Sequence, residues 1–187
     1  MKSCMEADLL LARASPLTDL ERSELERQFD ELLAAHGAAL GRLAASYTNT
    51  ASDRDDLLQE IAVAIWQALP RYRGECSPRT FIFRIAHNRA IAYLSRARSQ
   101  AHAVDEEMDV RDPAPDPESG LACEERSRRL HQAVHRLPVP YRQVITLTLE
   151  GLDYSEIGEV LGISGTNVGA RLTRARQMLR ELLEERK

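Results

Sequence analysis

A chain of 187 residues with 43% apolar side chains has enough material for one core or two small ones, which excludes a disordered or fibrous protein. A formal net charge of −4 excludes a uniformly basic nucleic-acid coat protein, so any nucleic-acid surface must be local. Cys4, Cys76 and Cys123 are too widely spaced for a disulfide framework or a Cys-x-x-Cys site, which points to a reducing, cytoplasmic setting.

Apolar residues recur with a 3.6-residue period and seldom alternate, so the expected class is all-α. The composition divides the chain into two small helical domains joined by an acidic flexible linker, the second ending in a helix-turn-helix. Residues 1–26 form an N-terminal extension that reads as a loose arm rather than a small docking helix, with a short helix at Glu6–Ala14 broken by Pro16. Its Leu9–Leu11 run, beside Asp8, is too short for a signal sequence, and no stretch approaches the length of a membrane span, so no membrane insertion is expected.

A long helix is expected from Leu17 to about Tyr47, with Leu25, Phe29, Leu32, Leu33, His36, Leu40 and Leu43 along one side. Ser52 with Asp55 reads as a capping box for a helix over 53–69, whose core stripe is Leu58, Ile61, Ala62, Ile65 and Leu69. Asp55, Asp56, Gln59 and Glu60 cluster near its start. Acids favour a helix N-terminus for electrostatic reasons; the same cluster also suits docking of a basic partner helix.

Pro70–Pro78 is a loop by its Gly and Pro content, and Ser77-Pro78 is a good helix start. The helix over 79–98 carries Arg79, Arg84, Arg89, Arg96 and Arg98 with no acid. Tyr72, Phe81, Phe83 and Tyr93 interleave with the arginines. Such a pattern suits single-stranded nucleic acid, where aromatics stack on bases and guanidinium groups neutralise phosphate; it also suits a basic helix with its aromatics in the core.

Residues 99–118 hold seven acids, three prolines and one arginine, a composition that makes an extended tether. A helix over 121–137 follows, with Leu130, Val134 and Leu137 packing. Another runs over 141–150 with Val144, Ile145, Leu147 and Leu149 apolar. Cys123, His131 and His135 match no common zinc spacing and lack a fourth ligand, so neither metal nor cofactor is expected.

The last stretch, LDYSEIGEVLGISGTNVGARLTRARQMLRELL, carries two helices and a tight turn. Asp153 with Glu156 forms a capping box, Gly162 ends the first helix and Ser164 starts the second. Val168, Leu172, Ala175 and Leu179 make a buried stripe, while Thr166, Ala170, Thr173, Arg174 and Gln177 point away from it. Between Ser164 and Arg180 there are four arginines and no acid. A helix packed on one side and lined with Arg, Thr and Asn on the other suits the DNA major groove.

In that order and spacing the blocks DDLLQEIAVAIWQAL, YRGECSPRTFIFRIAHNRAIAYL, LHQAVHRLPVPYRQVITL and GLDYSEIGEVLGISGTNVGARLTRARQML resemble bacterial RNA polymerase sigma factors of the extracytoplasmic-function group of the sigma-70 family. The resemblance implies a non-enzymatic factor that binds core RNA polymerase, directs it to a promoter and helps open the DNA. It implies that residues 27–99 form sigma region 2, which binds core and the minus-ten element. The acidic linker at 100–119 would thread the RNA exit path, and sigma region 4 at 120–187 would read the minus-thirty-five element. Asp55, Asp56, Gln59 and Glu60 would dock on core polymerase. Tyr72, Arg73, Arg79, Phe81, Arg84, Asn88 and Arg96 would contact minus-ten DNA; Ser164, Thr166, Asn167, Ala170, Arg171, Thr173 and Arg174 would contact minus-thirty-five DNA. An anti-sigma factor or other regulator is the further implied partner. The sequence departs from the family at Pro78, Phe81, Ala92, Gly169 and Ala170. The alternative is a helix-turn-helix regulator that acts without being a polymerase subunit.

Overall fold

The computed structural model describes residues 19–101 and 121–184. Most of the expected extension and nearly all of the acidic linker lie outside them. Among the described residues all regular structure is helical, as expected. The helices are α1 (Asp19–Ala45), α2 (Ala51–Ala68), α3 (Pro78–Ala101), α4 (Leu121–Arg136), α5 (Val139–Leu149), α6 (Tyr154–Leu161) and α7 (Gly165–Glu184), with a 3-10 turn at Leu69–Arg71.

Helices α1, α2 and α3 pack on one another around Leu43, Leu57, Ile61, Ile65, Ile82 and Phe83, all essentially without solvent exposure. Each such side chain contributes about 1.5–3 kcal/mol by leaving water. Helices α4 to α7 enclose Leu137, Val144, Leu147, Ile157, Val168 and Leu172, and the two groups share one continuous core.

Several local expectations need correction. Helix α2 starts at Ala51, and its cap is Thr50, whose hydroxyl accepts from the Asp53 amide at 3.1 Å; Ser52 and Asp55 are not the cap. Two helices flank α2, so its buried stripe turns toward both: Leu57 and Ala64 are buried, whereas Leu58 and Ala62 lie at the margin. In α3, Phe83 is wholly buried and cannot stack on a base. In α5, Leu149 is 58% exposed, while Arg142 and Thr146 are buried instead.

The burial of Arg142 has a clear physical basis. Its guanidinium donates to the carbonyls of His135 and Leu137, the latter at 3.1 Å, and so satisfies acceptors left open at the C-terminal end of α4. It also donates to the Ser46 carbonyl just past α1, at 3.3 Å, and lies over the Tyr47 ring at 5.7 Å. Burial pushes its pKa down, opposed by Tyr47. Thr146 donates to the Ser46 hydroxyl at 3.3 Å.

His87 of α3 is buried nearby, edge-on to Tyr47 with ring centroids 6.0 Å apart and with Nε2 2.7 Å from the Gln143 amide. Desolvation holds its pKa down at about 4. In the unfolded chain the imidazole titrates near its ordinary value of about 6.5, so the unfolded state binds the extra proton between these limits. The neutral ring's contribution is therefore fully present above pH 6.5, falls as the pH drops toward 4, and is lost below it. Lowering the pH from 7 to 5 should cost about 2 kcal/mol of stability from this group. Thermal melts across that range check it: His135, whose pKa burial also holds down at about 4, keeps its own share, so His87→Gln should lessen the dependence, and an unchanged slope in the variant would show that His87 contributes nothing to it.

Candidate nucleic-acid and protein interfaces

The C-terminal surface is built by two caps and a turn. The Asp153 carboxylate accepts from the Ser155 and Glu156 amides at 2.8 and 2.9 Å, and Glu156 accepts from the Asp153 amide at 2.9 Å. This reciprocal pair fixes where α6 begins. Gly162 ends it at φ 66°, in the left-handed region. Ser164 then accepts from the Asn167 amide at 3.3 Å and starts α7. Closeness at this turn depends on Gly158, where a Cβ would lie 2.8 Å from the Ile163 carbonyl oxygen.

Helix α7 buries Val168, Leu172, Ala175 and Leu179, as expected. Its other side presents Ser164, Thr166, Asn167, Ala170, Thr173 and Arg174 to solvent, with Arg171 half-buried on the flank. The Thr173 hydroxyl donates to the Gly169 carbonyl at 3.0 Å, so outward it offers an acceptor and a methyl group. Asn167, Ala170, Arg171 and Arg174 share a surface hollow of about 340 Å³ with Pro140 and Tyr141 of α5. Those two residues carried no signal in the sequence, because nothing local indicates that the start of α5 lies beside α7.

The second surface lies at the start of α3. Gly74 takes φ 75° and turns the preceding loop back. The Tyr72 hydroxyl donates to the Cys76 carbonyl at 2.6 Å, and its ring sits 4.5 Å from that of Phe81. Both rings are half-buried. The Arg84 guanidinium reaches the Cys76 sulfur at 3.2 Å. Arg73, Arg84, Asn88 and Arg96 are exposed; Phe81, Arg84 and Asn88 follow one another at helical spacing along one side of α3. Arg79 is not among the exposed arginines. It is half-buried and donates to the backbone carbonyl of Glu150, at the end of α5.

The third surface is the outer side of α2. Asp55, Asp56 and Gln59 are exposed there and Glu60 is half-buried. Asp55 pairs with Arg54 at 3.0 Å. Val63 and Trp66, 48% and 36% exposed, continue the stripe from Asp56 and Gln59 at helical spacing. Trp66 is steadied by an edge-on contact with Phe29 of α1, with centroids 5.4 Å apart. Glu60 holds Arg96 of α3 at 2.7 Å, so a residue expected to meet polymerase and one expected to meet DNA are joined to each other. Both are substantially solvated, so the pair contributes at most about 1 kcal/mol.

Comparison with known proteins adds an independent line. The family model described as Sigma-70 region 2 matches residues 32–100, and that described as Sigma-70, region 4 matches residues 127–179. The RNA polymerase sigma factor NccH of Alcaligenes xylosoxydans is 32% identical over 83% of this chain and 87% of its own length. The sigma factor CnrH of Cupriavidus metallidurans is 32% identical over 85% and 88%. The sigma-E factor of Haemophilus influenzae is 28% identical over 91% and 98%. Among solved structures, CnrH in complex with the cytosolic domain of CnrY superposes with a TM-score of 0.64 at 28% identity, covering 87% of this chain and 91% of that one. RpoE of Bartonella quintana, in complex with the anti-sigma factor NepR, gives 0.72 at 19% identity over 84% and 98%, a likeness of fold. No helix among the described residues is long and apolar enough to cross a membrane.

The turn geometry carries its own expectation. Gly158→Ala should destabilise the protein by about 1–3 kcal/mol, because the added methyl group meets backbone that cannot step aside. Chemical denaturation measures it, and a loss below about 0.5 kcal/mol would mean that the α6–α7 turn is looser than the structure shows.

Proposed function

The chain belongs to the extracytoplasmic-function group of the sigma-70 family, and from that premise we propose how its residues divide the work of a promoter-specificity factor. As a sigma factor it binds core RNA polymerase, directs it to specific promoters and assists melting; it is a regulatory subunit. The observation that carries the reading is the pairing, in one chain, of a recognition helix without an acid from Gly165 to Arg180 with a loop-and-arginine surface of exposed Arg73, Arg84 and Asn88 around Tyr72 and Phe81.

In this assignment residues 27–99 bind core polymerase and the minus-ten element, and residues 120–187 read the minus-thirty-five element across the connecting segment at 100–119. Duplex DNA suits α7, whose side chains reach base edges in the major groove. Arg171 and Arg174 supply guanidinium forks for guanine or phosphate, and Asn167 and Thr173 supply shorter polar contacts. Melted DNA suits the Tyr72–Phe81 stack, since unstacked bases regain stacking on aromatic faces while Arg73, Arg79, Arg84 and Arg96 neutralise phosphate. Asp55, Asp56, Gln59 and Glu60 form the acidic half of a polymerase contact, and Val63 with Trp66 gives that contact an apolar centre. The factor works in the cytoplasm, as transcription requires. The relatives solved with CnrY and NepR support an anti-sigma factor as a further partner.

Arg174→Ala should weaken binding to the cognate minus-thirty-five duplex by about 1–3 kcal/mol while sparing duplexes altered at the base it reads. Equal loss on every sequence would assign the residue to phosphate instead. The double variant Gln59→Ala, Glu60→Ala should lower affinity for purified core polymerase and leave minus-thirty-five duplex binding intact; that duplex is the control because Glu60 also holds Arg96. Unaltered core affinity would refute the docking assignment. A protein that binds duplex tightly but never binds core would be a stand-alone regulator.

A further inference from the structure

The outer side of α7 is polar along most of its length, with Thr166, Asn167, Thr173, Arg174 and Gln177 exposed. Ala170 interrupts it with a bare, exposed methyl group. Helix α5 adds further apolar surface at that point. Pro140 and Tyr141 border the hollow of about 340 Å³ that Asn167, Ala170, Arg171 and Arg174 border from α7. One part of the hollow is therefore hydrocarbon, and the other part carries nitrogen donors.

The α5 wall is fixed before any ligand arrives. The Tyr141 and Arg142 amides both donate to the Pro138 carbonyl at 3.0 Å, which sets the first turn of α5. The Tyr141 side chain is half-buried against the core. Its neighbour in sequence is the buried Arg142, whose guanidinium is tied to the end of α4. Pro140 is exposed, and its ring is rigid. A wall already in place makes contact without a further ordering cost.

In the major groove only thymine presents a methyl group beside a carbonyl acceptor, O4. The hollow complements that pair. The methyl group meets Ala170, Pro140 and the Tyr141 ring, while O4 meets a guanidinium N–H of Arg171 or Arg174. Cytosine fails twice, because it lacks the methyl group and turns an amino donor toward guanidinium donors. 5-Methylcytosine supplies the methyl group but keeps the opposing donor. A phosphate would suit the arginines, yet it gains nothing from Pro140 or Ala170.

We propose that Pro140 and Tyr141 of α5, with Ala170 of α7, form a methyl pocket that selects a thymine at one position of the minus-thirty-five element. The pocket rests on the assignment of α7 to duplex DNA made above. Recognition then belongs to two helices: α7 reaches the base edges, and the start of α5 closes the side of the pocket. Ala170, where the sequence departs from the family, becomes the pocket's floor.

The test uses holoenzyme assembled from core polymerase and the full-length protein. It first selects its element from promoter DNA randomised at minus-thirty-five. Each thymine of the selected element, on either strand, is then replaced singly by deoxyuridine, which lacks only the methyl group. One replacement should weaken binding about four-fold, the worth of one buried methyl group. Tyr141→Ala should bring the thymine-to-deoxyuridine ratio at that position near one. Ala170→Ser, on the exposed surface, should do the same and decides the matter if Tyr141→Ala folds poorly. Tyr141→Phe, which keeps the ring, should leave the ratio at about four. A selected element without thymine, no position sensitive to loss of the methyl group, or a ratio unchanged in both variants would each overturn the pocket. Equal loss on every duplex in Tyr141→Ala, with the ratio intact, would make Tyr141 a backbone contact and overturn it too. Holoenzyme that selects no element at all would overturn the assignment of α7 to DNA, and the pocket with it.

Discussion

The fold turns on a buried guanidinium. Arg142 stands where two helices end, and their terminal carbonyls give it the acceptors that water would otherwise supply. A buried charge without such partners would cost several kcal/mol; with them it ties α5 to α4 within one half of the chain and to Ser46 and Tyr47 in the other. The rest of the α5 contact follows from this anchor. His87 meets Gln143, Thr146 meets Ser46, and Glu150 arrives between Arg42 and Arg79 at the far end of the same helix. The recognition helix inherits its position from this arrangement, because α7 packs on α5 and turns its polar side outward.

Function then reads as a division of surfaces by solvent access. What is buried is mostly aliphatic, joined by the rings of Tyr47 and Phe83, with Ser46, Thr48, Thr80, His87, Arg142 and Thr146 as its polar members. What remains outside is sorted by chemistry: acids and a Trp–Val stripe on α2, arginines with a Tyr–Phe pair at the start of α3, and arginines with small polar residues on α7. A net charge of −4 conceals this sorting, because the acids and the arginines lie in different segments.

Local features were legible in the sequence where their causes are local. The Asp153–Glu156 box, the Gly162 stop, the Ser164 start and the buried stripe of α7 each depend on residues within a turn or two. The order of the four motif blocks revealed the family for a similar reason, since each block is a contiguous run. Features set by distant neighbours were not legible. Thr50 displaced Ser52 as the cap because capping depends on where the backbone first turns helical, which tertiary packing decides. The stripe of α2 shifted to Leu57 and Ala64 because two helices flank it. Phe83 looked like part of an aromatic stacking set until the packing of α1, α2 and α3 enclosed it. Arg142 and Glu150 carried no pattern at all, because their partners lie about a hundred residues away along the chain.

The central claim is that one chain gives core RNA polymerase its promoter. Transcription reconstituted from purified core polymerase, this protein and a promoter bearing its minus-ten and minus-thirty-five elements tests it most directly. The account predicts a transcript of defined start that appears only when the protein is added and disappears when either element is scrambled. A transcript independent of the protein, or a protein that binds the DNA yet never brings polymerase to it, would contradict the account.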